Sequence, residues 1–257
     1  MKNKTGRLQW AWGAMPVILF VVVWEIIGRF NLFPGQFFFP PFSAVVKEFY
    51  DLTANGILGK NFLSSLTRVL IGLFGGSIAG IFVGVIMGWK HMVNKALSPI
   101  ISLLYPIPAL GWLPLLMLWI GINEMLPITI IFICSFFPVV YNTTTGIKNV
   151  DKSYIYAAET LGASNIMILF KVIIPLALPN IFTGLRLEAG MSWRVLIAAE
   201  MVAIPTGIGA LMIQAESLVR VDIIMVCLIV LSVMCLLFEK IFALAEKHMV
   251  GRWSSHA

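Results

Sequence analysis

The stretch from Val69 to Trp89 reads VLIGLFGGSIAGIFVGVIMGW and holds no charged residue. About 20 consecutive apolar residues allow an α-helix to cross the hydrocarbon core of a membrane. Glycine recurs at every fourth position, which puts small residues on one slowly rotating face where a second helix can approach to backbone distance. The stretch therefore predicts a membrane-spanning helix. Its small face serves for close packing or as a sliding surface during transport, two compatible roles, and consists of Gly72, Gly76, Gly80, Gly84 and Gly88.

Further apolar runs extend this prediction to the whole chain. The 257 residues are 60% hydrophobic and only 12% charged, whereas soluble domains are about 25% charged. A soluble protein of this length could not bury so much apolar surface in one core. We therefore predict an all-α integral membrane protein with about six transmembrane helices, the third and fourth separated by a tight turn at 121–124. The other runs are 8–24, 96–123, 125–147, a more polar one at 176–204, and 223–238 or 223–245.

The polar residues exclude several other classes of protein. The three cysteines lie inside apolar runs without metal-ligand spacing, so neither a disulfide scaffold nor a metal site is expected. The net charge is +6, yet no basic stripe or basic-aromatic pattern indicates a nucleic-acid partner. No phosphate-binding glycine loop occurs, and no nucleophile and base converge in a motif. We expect the chain itself to be neither an enzyme nor the holder of a cofactor.

The distribution of lysine and arginine predicts the orientation, because short cytoplasmic loops carry an excess of both. With the N-terminus inside, eleven fall on the cytoplasmic side and three outside, so both termini are expected to be cytoplasmic. Segment 1–13 is then a cytoplasmic N-terminal segment and 14–257 a single transmembrane domain. A signal peptide is the alternative for the basic N-terminus, but no small-residue cleavage site follows it. The eleven are Lys2, Lys4, Arg7, Lys90, Lys95, Lys148, Lys152, Lys171, Lys240, Lys247 and Arg252; the three are Lys47, Lys60 and Arg220.

The third span is rich in proline. Each proline frees a carbonyl and kinks the helix, which is tolerated in a membrane only where protein or a water-lined cavity receives the exposed backbone. Interrupted helices are common at transporter sites. The span is therefore predicted to be a kinked helix beside the translocation pathway, with Pro108 and Trp112 as candidate pathway residues. Its prolines are Pro99, Pro106, Pro108 and Pro114.

The fifth span is the most polar. Charges inside a membrane usually face a bundle interior or a water-filled cavity. Arg186 and Glu200 are about 21 Å apart along a helix, too far for a direct pair, so each needs another partner. These charges either lock helices together or line the translocation pathway, and both interpretations stay open. One helical face is predicted to carry Arg186, Gly190, Trp193, Ile197 and Glu200.

A loop at 148–175 reads as helix, glycine turn, helix. Asp151 is expected to cap a first helix over 154–161, Gly162 to break it, and Ser164 or Asn165 to begin a second. An apolar face of the second helix is predicted from Ile166, Leu169, Phe170 and Ile173. Such a pair of helices is either a simple elbow at the membrane surface or a docking knob that transmits force from a partner.

This loop resembles the EAA loop of binding-protein-dependent ABC transporter permeases. That pattern is Glu-Ala-Ala, three residues, Gly, nine residues and Ile-x-Leu-Pro. The spacing here is complete. Ala157, Ala158, Gly162 and Pro175 match, while Tyr156, Val172 and Ile174 replace the glutamate, isoleucine and leucine of the pattern.

Motifs elsewhere resemble the subgroup that imports aliphatic sulfonates, taurine, nitrate and bicarbonate, although Gly111 stands where that subgroup often has alanine. The matching stretches cover most of the chain. They are Pro106-Ile-Pro108, Trp112-Leu-Pro114, Trp119-Ile-Gly121, Asn149-Val-Asp151, Leu161-Gly-Ala-Ser164, Leu185-Arg186 and Ala198-Ala-Glu200-Met201.

The resemblance implies a multi-pass permease subunit of an ATP-driven importer in a bacterial inner or plasma membrane. Two permease copies, most simply a homodimer, form the pathway. Two cytoplasmic ABC ATPase subunits, which bind the ATP and Mg²⁺, dock on the loops, and an extracytoplasmic binding protein delivers a small solute. An alkanesulfonate, taurine, nitrate or bicarbonate is implied, and a heterocyclic vitamin precursor remains open. The implied ATPase-coupling residues are Tyr156, Ala157, Ala158, Gly162, Ala163, Ser164 and Pro175.

Two other functions compete with this interpretation. The first is a secondary transporter driven by an ion gradient, with Glu25, Glu188 or Glu200 as a proton-linked carboxylate. A self-sufficient carrier has no need of a docking loop, which argues against it. The second is a non-transporting membrane scaffold or sensor subunit.

Overall fold

A computed structural model describes residues 3–30 and 39–254. That part of the chain is helical throughout, with short connections and no β-strand. The helices are α1 (Asn3–Phe30), α2 (Phe42–Ala54), α3 (Ile57–Trp89), α4 (His91–Leu104), α5 (Leu113–Trp119), α6 (Met125–Lys148), α7 (Lys152–Thr160), α8 (Asn165–Ile168), α9 (Ile174–Ala203), α10 (Ile208–Ser217) and α11 (Val221–Ser254). A 3₁₀ turn, Ala109–Trp112, precedes α5, and a π turn, Leu169–Ile173, joins α8 to α9.

Four helical segments within the described residues are long and apolar enough to cross a membrane: Ile57–Trp89, Met125–Lys148, Asn165–Ala203 and Val221–Met249. A bent pair formed by α4 and the segment Ala109–Trp119 makes up to five. The all-helical membrane fold is thus confirmed, whereas a total of six spans stays a prediction. Of the predicted N-terminal segment 1–13, the first two residues lie outside the described range, and the rest belongs to α1.

The third span differs from the sequence-based expectation of one kinked helix. The chain bends by 87° between α4 and the segment that contains α5. Pro106 and Pro108 explain the break, because neither can donate a backbone hydrogen bond and each disfavours helical geometry in the residue before it. The last α-type bond of α4 runs from the amide of Tyr105 to the carbonyl of Ile101, at 2.8 Å.

The glycine face of α3 lies directly against α6. A Cβ at Gly76 would lie 2.5 Å from the carbonyl oxygen of Phe132, and one at Gly84 would lie 2.6 Å from the Cβ of Thr143. Glycine is therefore the residue that lets the two backbones approach this closely. The other three glycines of the face lie equally close to α6, opposite Ile131, Phe136 with Val139, and Ile147.

The bundle has two ends, which polar contacts distinguish. The ammonium of Lys148 donates to the side chain of Asn94 at 2.7 Å, so the loops after α3 and α6 lie together at what we call the α7 end. Arg220 and Glu48 form an ion pair at 2.7 Å at the opposite, α10 end. Basic residues of the predicted cytoplasmic group therefore collect at the α7 end, and those of the outer group at the α10 end. That the α7 end is cytoplasmic stays a prediction.

Candidate functional site

The loop at the α7 end is built by two helix caps and one glycine turn. The Asp151 carboxylate accepts a bond from the amide of Ser153 at 2.8 Å, which caps α7 and lowers the pKa of Asp151. Gly162 follows α7 with φ +77°, a left-handed conformation that an L side chain rarely adopts. The Ser164 hydroxyl then accepts from the amide of Met167 at 3.4 Å and caps α8. The helix–glycine–helix arrangement is as the sequence predicts.

The second half of the loop is not a separate helix. α8, the π turn and α9 form one continuous segment, Asn165–Ala203, that passes through Pro175. Because proline has no amide proton, it cannot complete an α-helical bond, and the wider turn directly before Pro175 accommodates the defect. Of the four residues of the predicted face, Ile173 is buried and Leu169 is partly buried against the same cluster. Ile166 and Phe170 are exposed, and Ile168 is buried instead, so the prediction is wrong for Ile166 and Phe170.

The loop has an anchored side and an exposed side. On the anchored side, Ile168 and Ile173 pack with Ile147 of α6 and Ala177 of α9, with Ile155, Ala158 and Ala163 partly buried against them. On the exposed side, apolar groups face outward at the tip of the bundle: Tyr154, Tyr156, Leu161, Ile166 and Phe170. Among the predicted coupling residues, Tyr156, Ala157, Gly162 and Ser164 lie on the exposed side, whereas Ala158, Ala163 and Pro175 are partly buried.

The predicted face of α9 splits into two environments. Trp193 and Glu200 are fully buried, with Trp193 between Phe62 and Phe238 at ring distances of 6.3 and 5.4 Å. Arg186 instead lies half exposed, 4.0 Å from the Glu246 carboxylate of α11. Arg186 and Glu200 therefore find separate partners, and the structure does not bring them into one site.

Glu200 belongs to a charged cluster around the buried Arg68 that the sequence did not reveal. Its partner is Arg68 of α3, which also binds Glu124 before α6 at 2.7 and 2.9 Å. The Ser65 hydroxyl donates to both oxygens of Glu200, at 2.9 and 2.8 Å, and Thr206 accepts two bonds from Arg68, at 2.8 and 2.7 Å. These five residues, the Arg68 cluster, join four segments at the α10 end. From the sequence, Arg68 is left out of the charge count because it lies at the end of a span. The one feature that could have indicated the cluster is the position of this arginine directly before an uncharged run.

A second charged region lies between α9 and α11, nearer the α7 end. Arg194 lies 3.9 Å from Glu239, and Arg186, eight residues earlier on α9, lies 4.0 Å from Glu246. We call these two arginine–glutamate contacts the rungs. Both arginines line an open cavity of about 400 Å³, together with the two glutamates and Thr183. The sequence had placed Arg194 off the main stripe, and Glu239 had not been singled out.

The other candidate residues lie apart from both charged regions. Pro108 is exposed at the start of the 3₁₀ turn, and Trp112 is partly buried against the cluster of Leu113, Leu126 and Ala199. Two carboxylates considered for proton coupling have polar partners: Glu25 accepts from the Ser43 hydroxyl at 2.9 Å, and Glu188 from the thiol of Cys134 at 3.3 Å.

Comparisons with known proteins agree with this architecture. Residues 76–251 match the family described as the binding-protein-dependent transport system inner membrane component. A protein of Methanocaldococcus jannaschii named as an ABC transporter permease is 38% identical over 91% of this chain and 89% of its own length. The taurine transport system permease protein of Escherichia coli is 34% identical over 93% and 91%. The nitrate import permease protein of a Synechocystis strain is 32% identical over 92% and 88%.

Solved structures share the fold. One chain of a crystal structure of an amino acid ABC transporter superposes with a TM-score of 0.61, covering 77% of this chain and 97% of its own, at 21% identity. On the match over residues 76–251, the similar permeases and the apolar spans, the chain belongs to the family of binding-protein-dependent transport system inner membrane components, the multi-pass permeases of ABC importers.

Proposed function

We propose that this permease works as a homodimer that imports a small oxyanion, coupled at the α7 end to two ATPase subunits that bind ATP and Mg²⁺. An extracytoplasmic binding protein delivers the anion at the α10 end, and both termini face the cytoplasm. Relatives named for taurine and for nitrate support the anion class. The observation that carries the proposal is the coupling loop, with an exposed apolar side at the tip and an anchored side in the bundle.

The exposed side fits a protein partner. Tyr156, Leu161 and Ile166 have most of their surface accessible, and they lie on a loop that connects two membrane-spanning helices. Contiguous exposed apolar surface with a polar rim is typical of protein–protein contacts. The rim is supplied by Asp151, Lys152, Glu159 and Lys171.

The anchored side explains how force reaches the pathway. Ile168 and Ile173, which follow α7, are packed against Ile147 of α6 and Ala177 of α9, so a displacement of this part of the loop acts on both spans. Because α8 runs through the π turn into α9 without a break, displacement at the loop is delivered along a rigid helix. A packed bundle with two stable arrangements converts such a push into a switch of access from one side to the other.

The test uses two glycines with the same backbone strain. Gly162 has φ +77° and Gly56 has φ +70°, and a Cβ at either would meet no atom within 4 Å. Gly162→Val and Gly56→Val therefore carry similar local strain, but only Gly162 lies in the coupling loop. The complex of permease, ATPase subunits and binding protein is reconstituted in proteoliposomes, and ATP-driven uptake and ATPase activity are measured with subunit stoichiometry.

We expect Gly162→Val to lose the ATPase subunits or the transport-stimulated ATP hydrolysis, while Gly56→Val keeps both. Equal behaviour of the two variants would contradict coupling through this loop. Transport by the purified permease without any ATPase would instead favour a secondary carrier.

A further inference from the structure

The cavity between α9 and α11 carries two arginine–glutamate rungs, which join the middle of α9 to the C-terminal part of the apolar segment Val221–Met249. Arg186 and Arg194 are eight residues apart on α9, about 12 Å along the axis. Glu246 and Glu239 follow at matching heights on the antiparallel α11, so each arginine has its own carboxylate. Between the rungs, a carboxylate oxygen of Glu239 occupies the space that a Cβ at Gly190 would fill.

These contacts leave the arginines with unused donors. A guanidinium has five N–H donors, and the two N–O distances here, 4.0 and 3.9 Å, are too long for hydrogen bonds. Within the described residues, Arg194 makes one weak bond, to the sulfur of Met191 at 3.3 Å, and Arg186 makes none. Both groups are therefore held near a counter-charge without being saturated by it.

The exposure of the rungs shows what kind of surroundings they require. The side chains of Arg186 and Arg194 are 55% and 56% exposed, and those of Glu246 and Glu239 are 28% and 39% exposed. Charged groups of membrane-spanning helices face a bundle interior or water, or extend to the membrane surface near a helix end, because hydrocarbon does not solvate them. The open side of the cavity therefore faces a second subunit or water, either in a cavity or at the membrane surface.

We propose that this cavity is an oxyanion-binding site within the permease, which we call the station. Arg186 and Arg194 bind the anion there, and Glu246 and Glu239 serve as their counter-ions when no anion is bound. The assignment rests on the proposed transport function and names a site for it. Planar guanidinium groups suit nitrate, sulfonate and carboxylate oxygens because they bind them through two parallel N–H donors. A volume of about 400 Å³ admits a small oxyanion with water.

The charges that line the cavity suit an anion that binds briefly and moves on better than one that stays bound. Two arginines and two glutamates make the empty cavity neutral, so a bound anion must compete with a carboxylate for each guanidinium. A site on a transport route has to bind strongly enough to accept the ion and weakly enough to release it. Competition from the glutamates limits the affinity for the anion. The arginine of the second rung gives the anion another binding position along α9.

The first experiment measures binding of radiolabelled ethanesulfonate to the nucleotide-free complex of permease and ATPase subunits in phosphatidylcholine nanodiscs, without the binding protein, which would itself bind the anion. We expect Arg186→Gln and Arg194→Gln each to raise the dissociation constant about tenfold, because each removes charge-assisted hydrogen bonds. Glu239→Gln is expected to lower it, because Arg194 loses its competitor. Lys240→Gln is the matched control: Lys240 is the exposed neighbour of Glu239 on α11 but does not line the cavity, so binding should not change.

Three outcomes would overturn the station: no binding of ethanesulfonate or competing nitrate to the wild type, equal effects of Arg194→Gln and Lys240→Gln, or weaker binding in Glu239→Gln. Loss of ethanesulfonate binding when phosphatidylglycerol is included in the nanodisc would assign the cavity to a lipid headgroup and also overturn the station. The proposal also requires tighter binding in Glu239→Gln, so it can still be tested if an arginine variant fails to fold.

The second experiment separates this inference from the proposed function. ATP-driven uptake is measured in proteoliposomes with the same variants, and the KM of uptake is expected to rise about tenfold in the arginine variants and to stay unchanged in the control Lys240→Gln. Binding without ATP-driven uptake by the wild type would contradict the proposed function but support the station. ATP-driven uptake with an unchanged KM in both arginine variants would support the proposed function but contradict the station.

Discussion

Arg68 and Arg194 are both arginines of membrane-spanning helices with a glutamate partner, yet their surroundings are opposite. Arg68 is buried and donates five hydrogen bonds, to Glu124, Glu200 and Thr206, which uses every N–H of its guanidinium. Arg194 is more than half exposed, lies 3.9 Å from Glu239 and has one weak bond to sulfur. A saturated charge fixes the positions of the helices around it, whereas an unsaturated charge keeps the capacity to bind something else.

The position of each region fits this division. The Arg68 cluster joins α3, the end of α9, the loop before α10 and the turn before α6, so it closes the α10 end of the bundle. The backbone takes part as well: Gly209 donates to Glu200 at 3.0 Å, and Ile208 to Ser65 at 2.9 Å. The rungs between α9 and α11, by contrast, involve side chains alone.

The largest effect is expected from Arg68→Met. It leaves the fully buried Glu200 without its cation, a change that typically costs about 3–5 kcal/mol. Arg194→Met is the matched control, with an expected loss below about 1 kcal/mol because the pair is exposed. Thermal unfolding of the purified permease in mild detergent measures both. Similar melting temperatures for the two variants would show that the cluster does not hold the bundle together.

The next effect concerns the contact that brings α3 and α6 together and so sets Arg68 beside Glu124. Gly76→Ala places a methyl group 2.5 Å from a backbone oxygen of α6, which cannot move aside easily, so a loss of about 1–3 kcal/mol is expected. At the adjacent Gly75 the nearest atom is 3.5 Å away, an ordinary contact. Gly75→Ala should therefore be neutral or slightly stabilising. The prediction fails if detergent unfolding ranks the two variants in the other order.

A smaller effect is expected from Ser65→Ala. It removes the one hydroxyl proton shared between the two oxygens of a buried carboxylate and one acceptor from the amide of Ile208, for an expected loss of about 1–2 kcal/mol. Ser64 is the natural control, because its hydroxyl is exposed and bonds only within its own helix, to the carbonyl of Lys60 at 3.2 Å. Indistinguishable unfolding of the two alanine variants would mean that Ser65 does not support the carboxylate.

The smallest effect is expected for the coupling between Arg194 and Glu239. A double-mutant cycle on the unfolding free energy should give less than about 1 kcal/mol, and raised ionic strength should reduce it further. The corresponding cycle on Arg68 and Glu200 should be several times larger and insensitive to salt. A strong, salt-independent coupling at Arg194 would mark that pair as structural and count against an exchangeable counter-ion.

Sequence reasoning succeeded where information is local. The caps at Asp151 and Ser164 and the turn at Gly162 depend on neighbouring residues, and all three appear in the structure. It failed where the direction of a helix or the exposure of a side chain depends on the segments packed around it. Ile166 and Phe170 are exposed instead of packing with Ile173, and the span that holds Pro106 and Pro108 bends by 87° where a kink was predicted.

The local sequence alone determined the membrane class, the glycine face of α3 and the helix–glycine–helix form of the loop at 148–175, because each depends on residues close in sequence. Only the tertiary structure decided which intramembrane charges are saturated. Arg68 and Glu200 are 132 positions apart, and Arg194 and Glu239 are 45 apart. No periodicity records either pairing. The burial of a charge and the number of its donors that find acceptors depend on helices that meet only in the folded chain.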